Sequence, residues 1–333
     1  VSASSTRAQA SMGWSQDPLT AWALQVLLVT VLWWAAAIFV KVMFKMTVHT
    51  ALPPFILTCL VSTTTGVISW TLSFLQRCNA APMPTPTWDE LSRVVLLGIM
   101  QGLEFGFLNK SLEWLSVTES TMLQNINVLF MMITAWMCDL EALSVVRICA
   151  GLLLAMGGTL QGLDSSGSKS ATEANAHIWG LVCMVISMML TSAKWSLIQF
   201  MTQLSPPGSF LGELAKLQLA ALVQPITGFV CLLLACIFER SALFNLDVLV
   251  TGSLLLRVPV IALGITLISC SELKVVELTS AVACGILINL HHIPMVMAGV
   301  ITLHDSVDAQ SMFGFALCII GGIIYAYSRY RDR

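Results

Sequence analysis

Ten stretches of this chain are long and apolar enough to cross a bilayer as helices, and little sequence is left between them. They run over approximately 21–43, 52–75, 92–112, 116–138, 145–163, 177–202, 213–237, 247–270, 275–302 and 309–328, close to the roughly 20 residues a helix needs to traverse the hydrocarbon core. Hydrophobic residues make up 57% of the chain and charged residues 10%, a balance that a water-soluble protein of this length could not keep dispersed. A bilayer accepts it, because lipid solvates apolar side chains while each helix satisfies its own backbone. The expected fold class is an all-α polytopic membrane protein with ten transmembrane helices.

The connections divide the chain. Most are short, and the longest polar ones are 76–91 and the Asp-Ser-Ser-Gly-Ser-Lys-Ser segment that opens 164–176. The expected organisation is a flexible N-terminal tail over 1–20, a first five-helix repeat over 21–163, a linker loop over 164–176, a second five-helix repeat over 177–328 and a C-terminal tail over 329–333. The tail is Ser- and Ala-rich, and is expected to be flexible or the remnant of a targeting peptide. An odd number of spans per half makes the two repeats enter the membrane in opposite senses, a plan common in secondary transporters. One spacing echoes between the halves. Glu141 precedes Gly157-Gly158 by sixteen residues, and Asp305 precedes Gly321-Gly322 by sixteen.

An even number of spans places both termini on one side. Nine Lys and Arg residues fall on that side and four (Lys41, Lys45, Lys169 and Arg240) on the other, with Lys110, Lys194 and Arg257 inside spans. The positive-inside rule makes the termini cytosolic. Gly102 and Gly106, and Gly158 and Gly162, form Gly-x-x-x-Gly pairs, read as close helix packing. Eight of the ten cysteines (59, 149, 183, 231, 236, 270, 284 and 318) lie in apolar runs and read as small packing residues.

Polar residues inside spans carry the functional signal, because an ionised side chain at mid-span costs about 2.5–3.5 kcal/mol on insertion scales. Glu104 lies in span three with Lys110 near its end, Lys194 in span six and Arg257 in span eight. Span four carries Glu119, Gln124, Asn125 and Asn127, and span nine carries Asn289, His291 and His292, with Pro294 able to kink it. Lys194 and Arg257 are cations that an anionic solute would neutralise. Each has a plainer alternative. Lys194 can snorkel, Arg257 can bridge to Glu104, and Gln124, Asn125 and Asn127 can be interhelical hydrogen-bond partners. Glu119 suits a helix start. Two adjacent histidines point about 100° apart, so one of them faces a central site.

No nucleophile elbow, zinc-protease motif or P-loop is present, so no enzymatic activity and no cofactor or metal is expected. The net charge of −2 argues against a nucleic-acid partner.

Four stretches together resemble the drug/metabolite transporter superfamily, in its triose-phosphate and nucleotide-sugar branch. The closest likeness is to the solute carrier 35 group related to the GDP-fucose transporter, from about Leu96 to Arg331. Gly102 to Val117 resembles the start of span four with its Asn-x-Ser-Leu pattern. Lys194-Trp-Ser-Leu-Ile-Gln199 is similar to an Arg-Trp-x-Leu-x-Gln motif. Ser271-Glu272 followed by Thr279-Ser280-Ala281 resembles the start of span nine, and Phe315 to Gly322 with Tyr325 resembles the last helix. Two family lysines are replaced, by Gln124 in span four and by the His291-His292 pair in span nine.

The resemblance implies an alternating-access antiporter of a nucleotide sugar or sugar phosphate. The candidate substrate-binding residues are Lys194, Gln124, Asn127 and His291, with Glu104 and Arg257 in second rank. The expected partners are a small phosphorylated solute, the lipid bilayer and, as an arrangement of copies, a homodimer. Family likeness implies a Golgi or other endomembrane location, with plastid membranes the alternative. Two other readings stand beside it: a non-transporting regulator that kept the fold, and a proton-coupled carrier of a neutral metabolite.

Overall fold

The computed structural model describes residues 18–50, 52–77, 84–137, 144–163, 171–203, 209–212, 214, 216–243, 252–278, 281–304 and 307–331. Every regular element among them is a helix: α1 (Pro18–Thr50), α2 (Pro54–Arg77), α3 (Trp88–Ser111), α4 (Val117–Gln124), α5 (Asn127–Met137), α6 (Val145–Leu163), α7 (Ala171–Gln203), α8 (Lys216–Phe238), α9 (Arg240–Leu243), α10 (Gly252–Leu278), α11 (Ala281–Leu303) and α12 (Ala309–Arg331). Five are long and apolar enough to cross a membrane: the spans Leu24–Val48, Pro54–Gln76, Trp88–Ser111, Asn175–Ile198 and Leu217–Phe238. Shorter apolar helices cover Val145–Gly157, Leu290–Leu303 and Ala309–Tyr325. Glu141, Asp305, Thr279 and Ser280 lie outside the described residues, so the acid–Gly-Gly spacing has only its glycines in view.

The helices overrun the apolar stretches in places. α1 starts three residues before the expected span and continues past it to Thr50, which puts Lys45 as well as Lys41 inside the helix. α7 starts at Ala171, within the stretch expected to be a linker, because Ala-Thr-Glu-Ala-Asn-Ala offers good helix formers and no breaker. Span four is broken: α4 stops at Gln124, Asn125 and Ile126 form a turn, and α5 resumes at Asn127.

Local capping sets two helix starts. Thr87 accepts from the Glu90 main chain while Glu90 bonds back to the Thr87 N–H, and Ser116 and Glu119 do the same for α4. Each box satisfies two orphan donors. Glu119 is thus a capping residue, also 3.6 Å from His177.

Helix pairing is extensive and ordered. α2 packs along α8, α6 along α12, α3 along α7 and α1 along α10; α3 also lies on α8, α10 on α2, α5 on α7, α1 on α11 and α4 on α11. Small residues permit the closest contacts. A methyl group at Gly102 would fall 2.7 Å from Val230 Cβ and 3.0 Å from the Thr227 carbonyl of α8, so this half of the Gly-x-x-x-Gly pair is a packing feature, as expected. At Gly157 it would fall 2.5 Å from the Gly314 carbonyl of α12. Buried cysteines knit the same seams, with Cys231 donating to the Gly102 carbonyl and Cys318 to the Leu154 carbonyl.

Charged groups at helix ends act as staples. Glu239, just beyond α8, accepts from the Phe55 and Ile56 N–H groups at the start of α2 at 3.2 and 3.0 Å. Its carboxyl is buried, and that burial raises it above the ordinary carboxylate range despite those bonds and Lys110. Lys110 closes the last turn of α3 onto Glu113 at 2.6 Å and Glu239 at 3.5 Å. Lys45 donates to the Leu112 and Leu115 carbonyls that follow α3, the end of a helix that favours a cation.

Candidate functional site

Two polar clusters occupy the interior of the bundle. The first joins α3 and α7. Lys194 Nζ stands 2.5 Å from Glu104 Oε2, and Thr191 Oγ1 donates to Glu104 Oε1 at 2.9 Å. Both charged side chains are buried, so each is the other's compensation. The ammonium also lies over the Phe105 ring at 5.3 Å and the Trp195 ring at 5.7 Å, within cation–π range. Glu272 of α10 is within electrostatic reach of this pair.

The second cluster joins α1, α4 and α11. Lys41 donates to Thr121 Oγ1 at 2.7 Å and to Gln124 Oε1 at 3.1 Å. His292 Nδ1 is 2.7 Å from Asn125 Oδ1, while the Asn125 amide donates to the Met122 carbonyl at 3.0 Å. The broken span therefore exposes polar atoms, and the helix packed on it meets them. His291 stacks on Trp33, with ring centroids 6.1 Å apart and planes 14° from parallel, and lies 5.9 Å from Trp34. Between the clusters, Ser192 of α7 donates to Asn127 Oδ1 at 3.1 Å.

The sequence-derived candidates divide accordingly. Lys194 and Glu104 are brought together as an ion pair. Gln124 and His291 belong to the second cluster, and Asn127 is the link. Arg257 lies in the second turn of α10, fifteen residues and about 22 Å along the axis from Glu272. The cation paired with Glu104 is Lys194, a tertiary contact that nothing local in the sequence foretells.

Lys41, His292 and Asn125 take part although they are not among the sequence-derived candidates. Lys41 stands near the end of the first apolar stretch and reads there as a flanking charge. His292 and Asn125 were named but not chosen, and their bond across 167 residues has no local signal. Lys41 and Glu272 are half-buried. Among the described residues no group of three metal-ligating side chains comes together.

Residues 20–161 match the EamA-like transporter family. That stretch ends within α6 and so spans the first half of the chain. The family sits in the drug/metabolite transporter superfamily, and the match suggests a membrane transporter of some solute rather than an enzyme. No curated protein matches the sequence. A solved structure whose title reads only "Crystal structure of protein" superimposes with a TM-score of 0.57 at 16% identity, covering 94% of this chain and 99% of the other. At that identity the likeness speaks for the fold alone.

Proposed function

We propose that the protein is a secondary transporter working by alternating access, which exchanges a nucleotide sugar or sugar phosphate across an endomembrane. The observation that carries this is the interior polar layer: buried cations and hydrogen-bonding groups from α1, α3, α4, α7 and α11, placed mid-bundle where they cost most and where solute sites of such carriers lie. The resemblance of four stretches to the solute carrier 35 group supplies the substrate class.

The ten-span inverted repeat belongs to the same proposal. Taking α4 and α5 together and leaving out the four-residue α9, five segments precede the linker and five follow it. Exchanging each with its counterpart turns α3–α7 packing into α10–α1, α3–α8 into α10–α2, and α5–α7 into α11–α1, all of which occur. The pairs α2–α8, α6–α12 and α4–α11 map onto themselves. The family match ending at residue 161 fits the same division. Cytosolic termini and a Golgi location follow from the charge distribution and the resemblance.

A proton-coupled carrier of a neutral metabolite is the second reading. It is favoured by a second carboxylate, Glu272, within electrostatic reach of the Glu104–Lys194 pair. Counterflow in reconstituted liposomes tests both. The first expects exchange of a phosphorylated sugar without a proton gradient, and the second expects uptake of a neutral solute that follows one.

A further inference from the structure

We propose that Lys41, rather than Lys194, is the cation that receives the anionic group of the solute, and that His291 receives a hydroxyl of the same molecule. The site would then take a phosphate ester bearing hydroxyl groups. This rests on the carrier reading above and assigns the residues that would carry it out.

α1 and α7 are both 33 residues long and open the two halves. Lys41 is the twenty-fourth residue of the first, and Lys194 the twenty-fourth of the second. They hold equivalent positions in counterpart helices, yet their partners differ in charge. Lys194 faces a carboxylate. Among the described residues Lys41 faces only a hydroxyl and an amide oxygen, both neutral. An ammonium has three donors, and two are used. Its position beside the C-terminal end of α4 explains how it sits inside the bundle without an acid, since carbonyl ends favour a cation. A charge neutralised by no carboxylate and partly accessible is what an incoming anion would meet.

A second observation points the same way. His291 is 7% exposed, and its Nε2 has no hydrogen-bond partner among the described residues. The other ring nitrogen bonds the Trp34 main chain, and Lys41 lies within electrostatic reach. In a neutral imidazole whose one N–H is engaged, the second nitrogen is an acceptor. It calls for a donor, which the dianion of a phosphate monoester lacks and a sugar hydroxyl supplies. Trp33 holds the ring by stacking, so that nitrogen is fixed in direction.

The test uses the full chain in detergent, titrated with glucose 6-phosphate, inorganic phosphate and glucose while thermal stability is followed. The wild type should be stabilised by glucose 6-phosphate, more weakly by phosphate, and not by glucose. Lys41→Gln should weaken both anions about tenfold or more, and Lys41→Arg should restore them to within about threefold, since the charge-assisted bond is retained. His291→Gln should weaken glucose 6-phosphate and leave phosphate unchanged. Should Lys41→Gln not fold, reductive methylation of the wild type reads the same contact: glucose 6-phosphate should slow modification of Lys41 and not of Lys194. A wild type that responds to neither anion overturns the phosphate-ester site proposed here, while the carrier reading stands or falls by the counterflow experiment. A wild type that binds, with Lys41→Gln binding equally well or Lys41 unprotected, overturns the Lys41 assignment alone. Equal losses of both anions in His291→Gln overturn the hydroxyl contact.

Discussion

Glu104 and Lys194 show what a buried charge requires. Either alone in the interior would be an uncompensated ion, whereas together they are held within 2.5 Å and braced by Thr191. Glu104→Gln should therefore destabilise the protein by about 3–5 kcal/mol, because it leaves the lysine unpaired. The double variant Glu104→Gln with Lys194→Gln should recover much of that loss. Thermal unfolding of the purified variants measures it, and equal instability of single and double variants would mean that the two charges are not coupled. Both residues stood out in the sequence because each interrupts an apolar run. Their pairing did not, since it depends on α3 lying against α7. Lys41 was hidden for another reason: it stands near the end of the first apolar stretch and reads as a flanking charge, although the helix carries on for nine more residues.

At the scale of elements, the helices were largely legible and their contacts were not. Within the described residues the apolar stretches are mainly helical, apart from the turn at Asn125 and Ile126, because the residue composition leaves the backbone no other way to satisfy itself in lipid. The break at Asn125-Ile126 escaped notice, since no Gly or Pro marks it and the polar side chains that hold it open belong to α1 and α11. Glycine seams were partly legible, as Gly102 shows. Gly157 matters more than its spacing suggested. A methyl group there would meet the Gly314 carbonyl and Cys318 Sγ, both at 2.5 Å. Backbone cannot give way as a side-chain tip can, so Gly157→Ala should cost about 1–3 kcal/mol by overpacking the α6–α12 seam. The same thermal assay checks it; unchanged unfolding would show that these helices can separate freely.

For the whole molecule, the ordering of helix contacts gives the inverted-repeat proposal its physical content. Two halves that exchange packing partners under one rotation can rock against each other about a site between them. The Glu104–Lys194 pair, the Asn127–Ser192 bond and the Asn125–His292 bond all cross from one half to the other. An even number of crossings predicts that tags on the N- and C-termini share one fate in protease protection of sealed vesicles. Opposite fates would remove the ten-span topology.

The central claim is transport of a phosphorylated solute. Purified protein in liposomes preloaded with unlabelled nucleotide sugars or sugar phosphates should draw in the labelled form of at least one of them by counterflow, well above empty liposomes and without an imposed proton gradient. Folded, inserted protein that exchanges none of them would contradict the account.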